Sequence, residues 1–420
     1  MRRAAVLSVL CLVCACGGSS VVQTALTGDL STLKREVKSA QDGGKLDDAT
    51  VRDLAYAVAS REIRSAKGAG AAVAFRSLRS CAGDLTRVLE DRADRGDDVA
   101  AEATLILYEL GKRNGKRLVE RYRESAAGSW RAVAARAAIL PEHMLLRREL
   151  MRDPDERVRR ASLQAALAAP LTDDTEALFE AARLDPDPMS RSIAIRALGA
   201  IGGTDRVNRL DDLWAKADET TRVTLLEAWA MRASLDAGGR GKLLRIAETE
   251  RGIPALSAAA ALTRGRRPES DVGQAVLTRA VRDGTQAERR LAIRLVGLAD
   301  ADARKAVDKA AEDEDKDVQV MAWARLAGFS DSRASAVAKL GGLAKKDDEV
   351  AVQARAALSA AGDQSIAPSL TTMLGAKAAH ERLIAAEGLV NLGRTGQAAT
   401  ALADDDPWVR MRVACVILGR

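Results

Sequence analysis

Alternating acidic residues are the first candidates for chemistry in this chain. Three of them have the spacing with which a calcium-binding loop begins: Asp313, Asp315 and Asp317. Such a loop also needs glycine at its sixth position and glutamate at its twelfth, where the chain has Val318 and Ala324. An aspartate before a helix is also a common N-cap. We therefore expect helix capping here and at 153–155 and 404–406, and we predict no metal site.

The chain offers little material for catalysis. It has 420 residues, of which two are histidines and five are cysteines, so a multi-histidine metal centre and a disulfide-dense scaffold are both excluded. It contains neither a phosphate-binding loop of the Walker type nor a G-x-S-x-G nucleophile motif. The sequence therefore predicts no catalytic residue and no cofactor.

The N-terminus combines charge, an apolar run and thiols. Arg2 and Arg3 precede a twelve-residue apolar run at 4–15, which is too short to span a bilayer but suits a signal peptide. The cysteines Cys14 and Cys16 lie at the end of this run, ahead of a Gly-Gly-Ser-Ser segment. We expect residues 1–15 to be a cleaved export signal.

This N-terminal stretch resembles the lipobox of bacterial lipoproteins. Val13, Ala15 and Cys16 match its aliphatic, small and cysteine positions, whereas Cys14 follows Val13, which is not small. The resemblance implies that the Cys16 thiol and amine are acylated, for example with palmitate, and that residues 16–28 carry the lipid and form a flexible tether. In many Gram-negative lipoproteins a residue other than Asp after the cysteine directs export to the outer membrane, and here that residue is Gly17.

The rest of the chain repeats itself. Apolar anchor positions recur every 28 to 34 residues, at Leu167, Leu198, Trp229, Leu262, Val296, Leu326, Leu358, Leu389 and Ile417. Each copy opens with aspartate and continues with apolar residues at helical spacing, as in Ile193, Ala194 and Ala197. A second helical stretch separates successive copies. The pattern predicts an all-α fold, an α-solenoid (superhelix) of about 11–12 stacked antiparallel helix pairs.

The domain organisation follows from the quality of the repeats. We expect degenerate helical repeats at 29–95 and a clear repeat array at 96–420, with no linker and no second domain between them. Cys81 and Cys415 lie near opposite ends of this array. We therefore expect two buried thiols without a disulfide bond.

The repeat resembles HEAT repeats of the short type first noted in bilin lyases, with the signature D-x-D-x-x-V-R-x-x-A-x-x-x-L-G. The segments 153–167 and 404–419 match best. The resemblance implies a curved surface that commonly holds proteins, so we expect a membrane-anchored, non-catalytic lipoprotein scaffold for other proteins of the cell envelope. One alternative is an assembly factor for a secretion, pilus or motility machine. A more distant alternative is an enzyme of lyase or hydroxylase type, although hydroxylases of this kind use several His-Glu pairs and this chain has only His380-Glu381.

Charge suggests where a partner could bind. The formal net charge is +6, but removal of Arg2 and Arg3 leaves 63 basic against 59 acidic residues, interleaved along the chain, so we expect no nucleic-acid partner. Five arginines share one register near the end of a repeat helix: Arg136, Arg196, Arg294, Arg325 and Arg355. We expect them to be exposed and to bind an acidic partner. The alternative is a solvated stripe paired with neighbouring acids.

Overall fold

The protein is all-α throughout the part of the chain that the structure describes. The computed structural model describes residues 20–27, 29–68, 75, 77–264, 268–346 and 348–420, and no strand occurs among them. Successive helices pair and stack as the periodicity predicts, so the expected solenoid class is confirmed. None of the described helices is both long and apolar enough to cross a bilayer.

The chain forms two compact units. Unit 1 combines Met1–Arg95 with Leu358–Arg420, and unit 2 is Gly96–Ala357. The first division coincides with the boundary that the sequence suggested after residue 95. The second division was not expected, since the repeats continue through it without a linker. The end of unit 2 at Ala357 lies within the segment 96–420, and that this segment forms one repeat array stays a prediction.

Unit 2 consists of successive helix pairs. Its helices of seven or more residues are α5 (Asp98–Glu109), α6 (Gly115–Tyr122), α7 (Gly128–Ala137), α8 (Met144–Leu150), α9 (Glu156–Ala168), α10 (Thr175–Leu184), α11 (Pro188–Ile201), α12 (Thr204–Trp214), α13 (Glu219–Trp229), α14 (Arg240–Thr249), α15 (Gly252–Leu262), α16 (Pro268–Asp283), α17 (Gln286–Leu295), α18 (Ala301–Ala310), α19 (Lys316–Leu326), α20 (Arg333–Leu343) and α21 (Glu349–Ala360), within which the unit ends. A short helix at Arg232–Ser234 and a π-turn at Leu235–Gly239 precede α14.

Unit 1 draws its helices from both parts of the chain. They are α1 (Ser20–Thr27), α2 (Leu30–Asp42), α3 (Asp48–Ser65) and α4 (Thr86–Ala93), followed by α22 (Ala367–Met373), α23 (Ala379–Asn391) and α24 (Pro407–Leu418). The remaining short turns of helix in the two units are Leu78–Ser80, Pro141–His143, Thr172–Asp174, Gln364–Ile366, Thr395–Ala398 and Ala399–Ala403.

Helix α11 shows how the repeat sequence specifies its structure. Asp187 caps the helix by accepting the backbone amides of Met189 and Ser190, and Pro188 occupies the first turn, where no amide donor is needed. The apolar stripe predicted around Ile193 is buried. At Gly199 a β-carbon would lie 2.6 Å from the backbone of Ala228, so only glycine permits this close approach to α13.

A buried ion pair joins two repeats of unit 2. The side chains of Arg147 and Asp174 are hydrogen-bonded to each other and both are 0% exposed. Arg147 also donates from Nη1 to the carbonyls of Ala138 and Ala169, at 3.3 Å each. The Nε of Arg148 contacts the second carboxylate oxygen of Asp174 at 3.3 Å. These bonds hold α8 against the turn that precedes α10. Removal of either Arg147 or Asp174 would leave the other as an unpaired buried charge, which is strongly destabilising.

The two segments of unit 1 pack directly on each other. Helix α24 lies against α3, and Arg410 of α24 forms an ion pair with Glu62 of α3 at 2.8 Å, with side chains only 8% and 12% exposed. Lys34 and Asp405 form a second, exposed pair at 2.6 Å. Contacts between residues this far apart in sequence were not predicted.

Cys81 and Cys415 form a disulfide bond in unit 1, with their Cα atoms 5.0 Å apart. The prediction that these thiols remain unpaired is therefore wrong. It assumed that the first and last repeats of an extended array stay apart, whereas the segments that carry the two cysteines pack together. The prediction that both residues are buried is confirmed, since each is 1% exposed.

Part of the segment expected to be a tether is helical. Residues 20–27 form helix α1, in which Val21 and Ala25 are buried, because the apolar residues of this segment pack against α3. The segment 16–28, for which we expect a flexible tether, therefore contains a helix at 20–27. The expected signal peptide at 1–15 and the expected lipid attachment site at Cys16 lie outside the described residues.

Candidate functional site

The first candidate surface is the predicted arginine register. Two of its members bind acids of a neighbouring helix pair: Arg136 contacts Glu109 at 3.2 Å, and the Nε of Arg196 donates to Glu227 at 2.7 Å. Their side chains are 19% and 33% exposed. These two arginines fit the alternative of paired charges between repeats.

Two further members of the register complete helix ends. Arg325 donates to the carbonyl oxygens of Ile293, Arg294 and Val296 at 3.0, 2.6 and 2.8 Å, at the point where α17 ends. Arg355 donates to the carbonyls of Ala344 and Lys346, just beyond α20. Burial lowers the pKa of Arg325. Both guanidinium groups satisfy backbone acceptors that the helix itself leaves open.

Arg294 is the exposed member of the register. Its side chain has no ion-pair or hydrogen-bond partner among the residues that the structure describes. The expectation of five exposed, available guanidinium groups is therefore wrong for the other four positions, whose side chains are half-buried against intramolecular partners. That the register binds a partner stays a prediction.

A different arginine register links successive repeats. Arg159 donates from Nη1 to the carbonyl of Asp153 at 3.0 Å, in the turn before its own helix. Its Nε and Nη2 donate to the carboxylate of Asp185, in the next turn, at 2.9 and 3.2 Å. The same bond from an arginine guanidinium to the aspartate carboxylate of the next turn recurs in the pairs Arg131–Asp153, Arg289–Asp313 and Arg382–Asp404. We call the arginines at this position of the repeat, which include Arg191, the ladder arginines.

The acceptor aspartates explain the alternating acidic motif. Asp185 accepts the backbone amide of Asp187 at 2.9 Å, and Asp187 then caps α11. The pairs Asp153–Asp155, Asp313–Asp315 and Asp404–Asp406 repeat this arrangement. The expected capping role is confirmed. One aspartate of each pair therefore orders the turn and the other begins the helix.

The ladder could have been found in the sequence. Its arginines lie four residues after the N-cap, which is the position of the arginine in the D-x-D-x-x-V-R signature, as in Val158-Arg159. The expected exposure of the later register rests on the angular distance of Arg196 from the apolar stripe of its helix. That criterion measures distance from the core, but it does not identify side chains that reach carbonyls or acids of the adjacent repeat.

In the described part of the chain, four grooves that are each lined by an arginine of the ladder register lie where helices of adjacent repeats end beside the acidic turns. Three belong to unit 2 and contain Arg159, Arg191 and Arg289, with volumes of about 140, 660 and 490 Å³. The fourth belongs to unit 1, contains Arg382 and has a volume of about 530 Å³. We name each groove by its arginine.

The four grooves differ in charge. The Arg191 groove is lined by four basic and two acidic side chains. The Arg289 groove has three basic and four acidic residues, and the Arg159 and Arg382 grooves are balanced. The Arg191 groove is therefore the one of these four with an excess of positive charge, and it can attract an anionic group.

Comparison with known proteins finds a repeat family that is similar to part of this chain. The family model for HEAT repeats matches residues 144–230, which contain the Arg159 and Arg191 grooves. No curated protein sequence matches the chain.

Two solved structures are similar to this chain. One is an X-ray structure of the Escherichia coli protein YibA, with 19% identity and a TM-score of 0.37, covering 64% of this chain and 98% of YibA. The other is a crystal structure of an engineered protein, with 17% identity and a TM-score of 0.29, covering 89% of this chain and 99% of that one.

Proposed function

We propose that this protein is a lipid-anchored, non-catalytic scaffold of a bacterial cell envelope that binds other proteins through its repeat surface. The observation that carries the proposal is the HEAT-type solenoid, a fold that commonly mediates protein–protein interaction. Its repeated inter-helix grooves offer several binding positions along one chain. The alternative of an assembly factor for an envelope machine differs only in the identity of the partner.

The disulfide supports export of the protein. Disulfide bonds persist in oxidising compartments such as the periplasm and are rare in the cytosol. The bond between Cys81 and Cys415 joins two parts of unit 1 and both sulfur atoms are buried. It therefore agrees with the export signal inferred at 1–15, on independent grounds.

The anchor is tested at Cys16. Cys16→Ser should abolish incorporation of radiolabelled palmitate and release the protein from the membrane fraction, whereas Cys14→Ser should leave both unchanged. Fractionation of inner and outer membranes tests the outer-membrane location that Gly17 suggests. Palmitate labelling of the Cys16→Ser protein would show that the lipoprotein assignment is wrong.

The scaffold role is tested by its partners. The tagged mature protein is purified from detergent-solubilised envelope, and the co-eluting proteins are identified by mass spectrometry against a Cys16→Ser control. Envelope proteins that co-elute reproducibly, and only with the folded solenoid, would support the scaffold function. Co-elution of components of a secretion, pilus or motility machine would favour the assembly-factor alternative. Recovery of the protein alone, by this method and by crosslinking in cells, would contradict it.

A further inference from the structure

The Arg191 groove interrupts the ladder. Arg191 donates from Nη1 to the carbonyls of Asp185 and Pro186 at 2.8 and 3.3 Å, as the other ladder arginines do in their own turns. Two positions before the capping aspartate Asp218, however, the chain has Lys216, where four other repeats have the acceptor aspartate, at Asp153, Asp185, Asp313 and Asp404. Within the described residues, Nε and Nη2 of Arg191 have no acceptor. The donor pair that holds Asp185 on Arg159 therefore lacks an acceptor on Arg191, whose side chain is half-buried.

The following repeat also lacks the acceptor aspartate, but its arginine is engaged differently. Thr249 occupies the position two residues before the cap of α15, and the guanidinium of Arg222 lies 5.3 Å from the ring centroid of Trp214. Arg191 has no such aromatic contact among the described residues. The available pair of donors is thus a property of the Arg191 groove.

The surroundings of Arg191 favour a carboxylate. Lys216 and Arg183 are exposed, and neither has an ion-pair partner in the described part of the chain. The Nη1 of Arg209 already donates to the carboxylate of Glu176 at 2.6 Å, and its guanidinium carbon lies 3.8 Å from the ring centroid of Phe179. Lys216 and Arg183 therefore give the groove that holds Arg191 its excess of positive charge.

The two acids of the groove leave this site open. Asp218 accepts the backbone amide of Thr221 at 2.7 Å and caps α13, and it forms no hydrogen bond with Arg191 within the described residues. Hydrogen bonds from Thr221 and, to a smaller extent, the charge of Arg191 lower the pKa of Asp218. Asp212 is exposed on α12 and forms no ion pair with any described residue. The excess of positive charge at the groove remains.

An apolar surface adjoins the charged one. Leu184 lines both the Arg159 and the Arg191 grooves and is 71% exposed, and Met189 at the start of the next helix is 53% exposed. Phe179 and Leu213 also line the Arg191 groove. A ligand that places one carboxylate on Arg191 could bury an aliphatic side chain against Leu184 at the same time.

We propose that the Arg191 groove binds a carboxylate of a partner protein, supplied by an aspartate or glutamate next to an aliphatic residue. The partner carboxylate takes the position that Asp185 occupies on Arg159, where two parallel N–H···O bonds fit the guanidinium fork. The apolar wall favours a peptide over a small inorganic anion. This inference rests on the protein-binding part of the proposed function, but it does not depend on the lipid anchor.

The test uses a defined peptide and a repaired ladder. The probe is the fluorescein-labelled peptide Gly-Ser-Glu-Leu-Glu-Leu-Gly-Ser, and its binding to the mature chain is followed by fluorescence anisotropy. Lys216→Asp supplies the missing acceptor within the chain, and Arg191→Gln removes the donors. Each should weaken binding about tenfold or more, the loss expected for a charge-assisted hydrogen-bonded pair. The probe with Gln in place of both Glu residues should lose as much.

The matched control is Lys309→Asp in the Arg289 groove. It makes the same change of charge beside a ladder arginine that already has its aspartate, so affinity for the probe should stay at the wild-type value. Lys216→Asp should retain the wild-type melting temperature or exceed it, because it completes an ion pair, and its loss of binding would then not reflect unfolding. Added salt should weaken wild-type binding.

Several results would overturn the proposal. They are wild-type affinity in Lys216→Asp, equal binding of the Gln probe, absence of probe binding to the wild-type chain, or displacement of the probe by inorganic phosphate beyond that by chloride at equal ionic strength. The last result would assign the groove to a phosphate ligand. None of these results bears on acylation of Cys16 or on envelope partners recovered by crosslinking, so failure of this site can be distinguished from failure of the scaffold function.

Discussion

Units 1 and 2 are built from the same kind of helix pair but are held together differently. In unit 2 the ladder arginines join adjacent repeats. Arg159 and Asp185, for example, are 26 positions apart in the sequence. In unit 1 the ion pair of Arg410 with Glu62 joins residues 348 positions apart, and the disulfide spans 334 positions. Unit 2 therefore follows nearest-neighbour energetics, whereas unit 1 needs two distant segments to associate.

This difference determines how damage should spread. Loss of a contact in unit 2 weakens the repeats on either side of it, and repeats farther along keep their own contacts. Loss of a contact between the two segments of unit 1 removes support from both at once. Substitutions that remove one contact of each kind can therefore test the comparison.

The largest effect is expected in unit 2 at Arg147. Arg147→Ala leaves the buried carboxylate of Asp174 without its main partner and should cost about 3–5 kcal/mol of unfolding free energy. Hydrogen exchange measured by mass spectrometry should show lost protection in peptides covering 144–184. Peptides covering 316–343 should keep their protection.

Arg148→Ala is the control for this prediction. Arg148 contacts the same carboxylate, but its side chain is 28% exposed, so its removal should cost clearly less. Equal losses for the two variants, or loss of protection throughout unit 2 in Arg147→Ala, would contradict the nearest-neighbour description.

The next effect concerns the disulfide of unit 1. Cys415→Ser should lower stability by about 2–4 kcal/mol, because the bond closes a very long loop in the unfolded chain. Hydrogen exchange should increase in α3 and α24 together. A reducing agent should produce the same change in the wild type and none in Cys415→Ser, and increased exchange confined to α24 would show that the two segments do not depend on each other.

The contrast between the units also explains what the sequence could predict. Helical periodicity and D-x-D caps report contacts within a repeat and between adjacent repeats, so they predicted the solenoid and the capping aspartates correctly. Pairing of Cys81 with Cys415 depends on how the distant segments meet, which no local pattern encodes. The sequence therefore predicted the local architecture of both units, but it did not predict the long-range contacts of unit 1.

The candidate site was harder to predict for a related reason. The substitution of Lys216 for an acceptor aspartate is visible in the sequence, but its meaning depends on knowing that Arg159 donates to Asp185. Without that geometry, Arg191 and Arg196 look alike as arginines of one helix. Side-chain direction across a repeat boundary distinguishes them, and spacing along one helix does not report that direction.

A smaller effect should depend on pH at Asp187, another contact between neighbouring repeats. Burial acts to raise the pKa of Asp187, but hydrogen bonds from Arg160 and Ser190 outweigh it and lower the pKa to about 2. Because the folded pKa lies below the unfolded value of about 3.9, the resulting stability is fully present above about pH 4 and is lost as pH falls through 2.

Asp187→Asn isolates this contribution, because asparagine still caps the helix. The variant should be less stable than the wild type by at most about 2.6 kcal/mol at pH 7, and the difference should shrink towards zero at pH 2. Denaturant unfolding at pH 7, 4 and 2.5 measures it. A difference that stays constant with pH would show that the ion pair with Arg160 is not its source.

The smallest effect compares two arginines of the originally predicted register. Arg325→Ala removes three hydrogen bonds to the end of α17 and should cost about 1–2 kcal/mol. Arg294→Ala removes an exposed side chain without a partner in the described residues and should change stability by less than about 0.5 kcal/mol. Denaturant unfolding of both variants separates a structural arginine from a solvated one. If Arg294→Ala also leaves envelope partners bound, the register acts only between repeats. If it releases a partner without loss of stability, Arg294 is a contact residue, and the binding surface extends beyond the Arg191 groove.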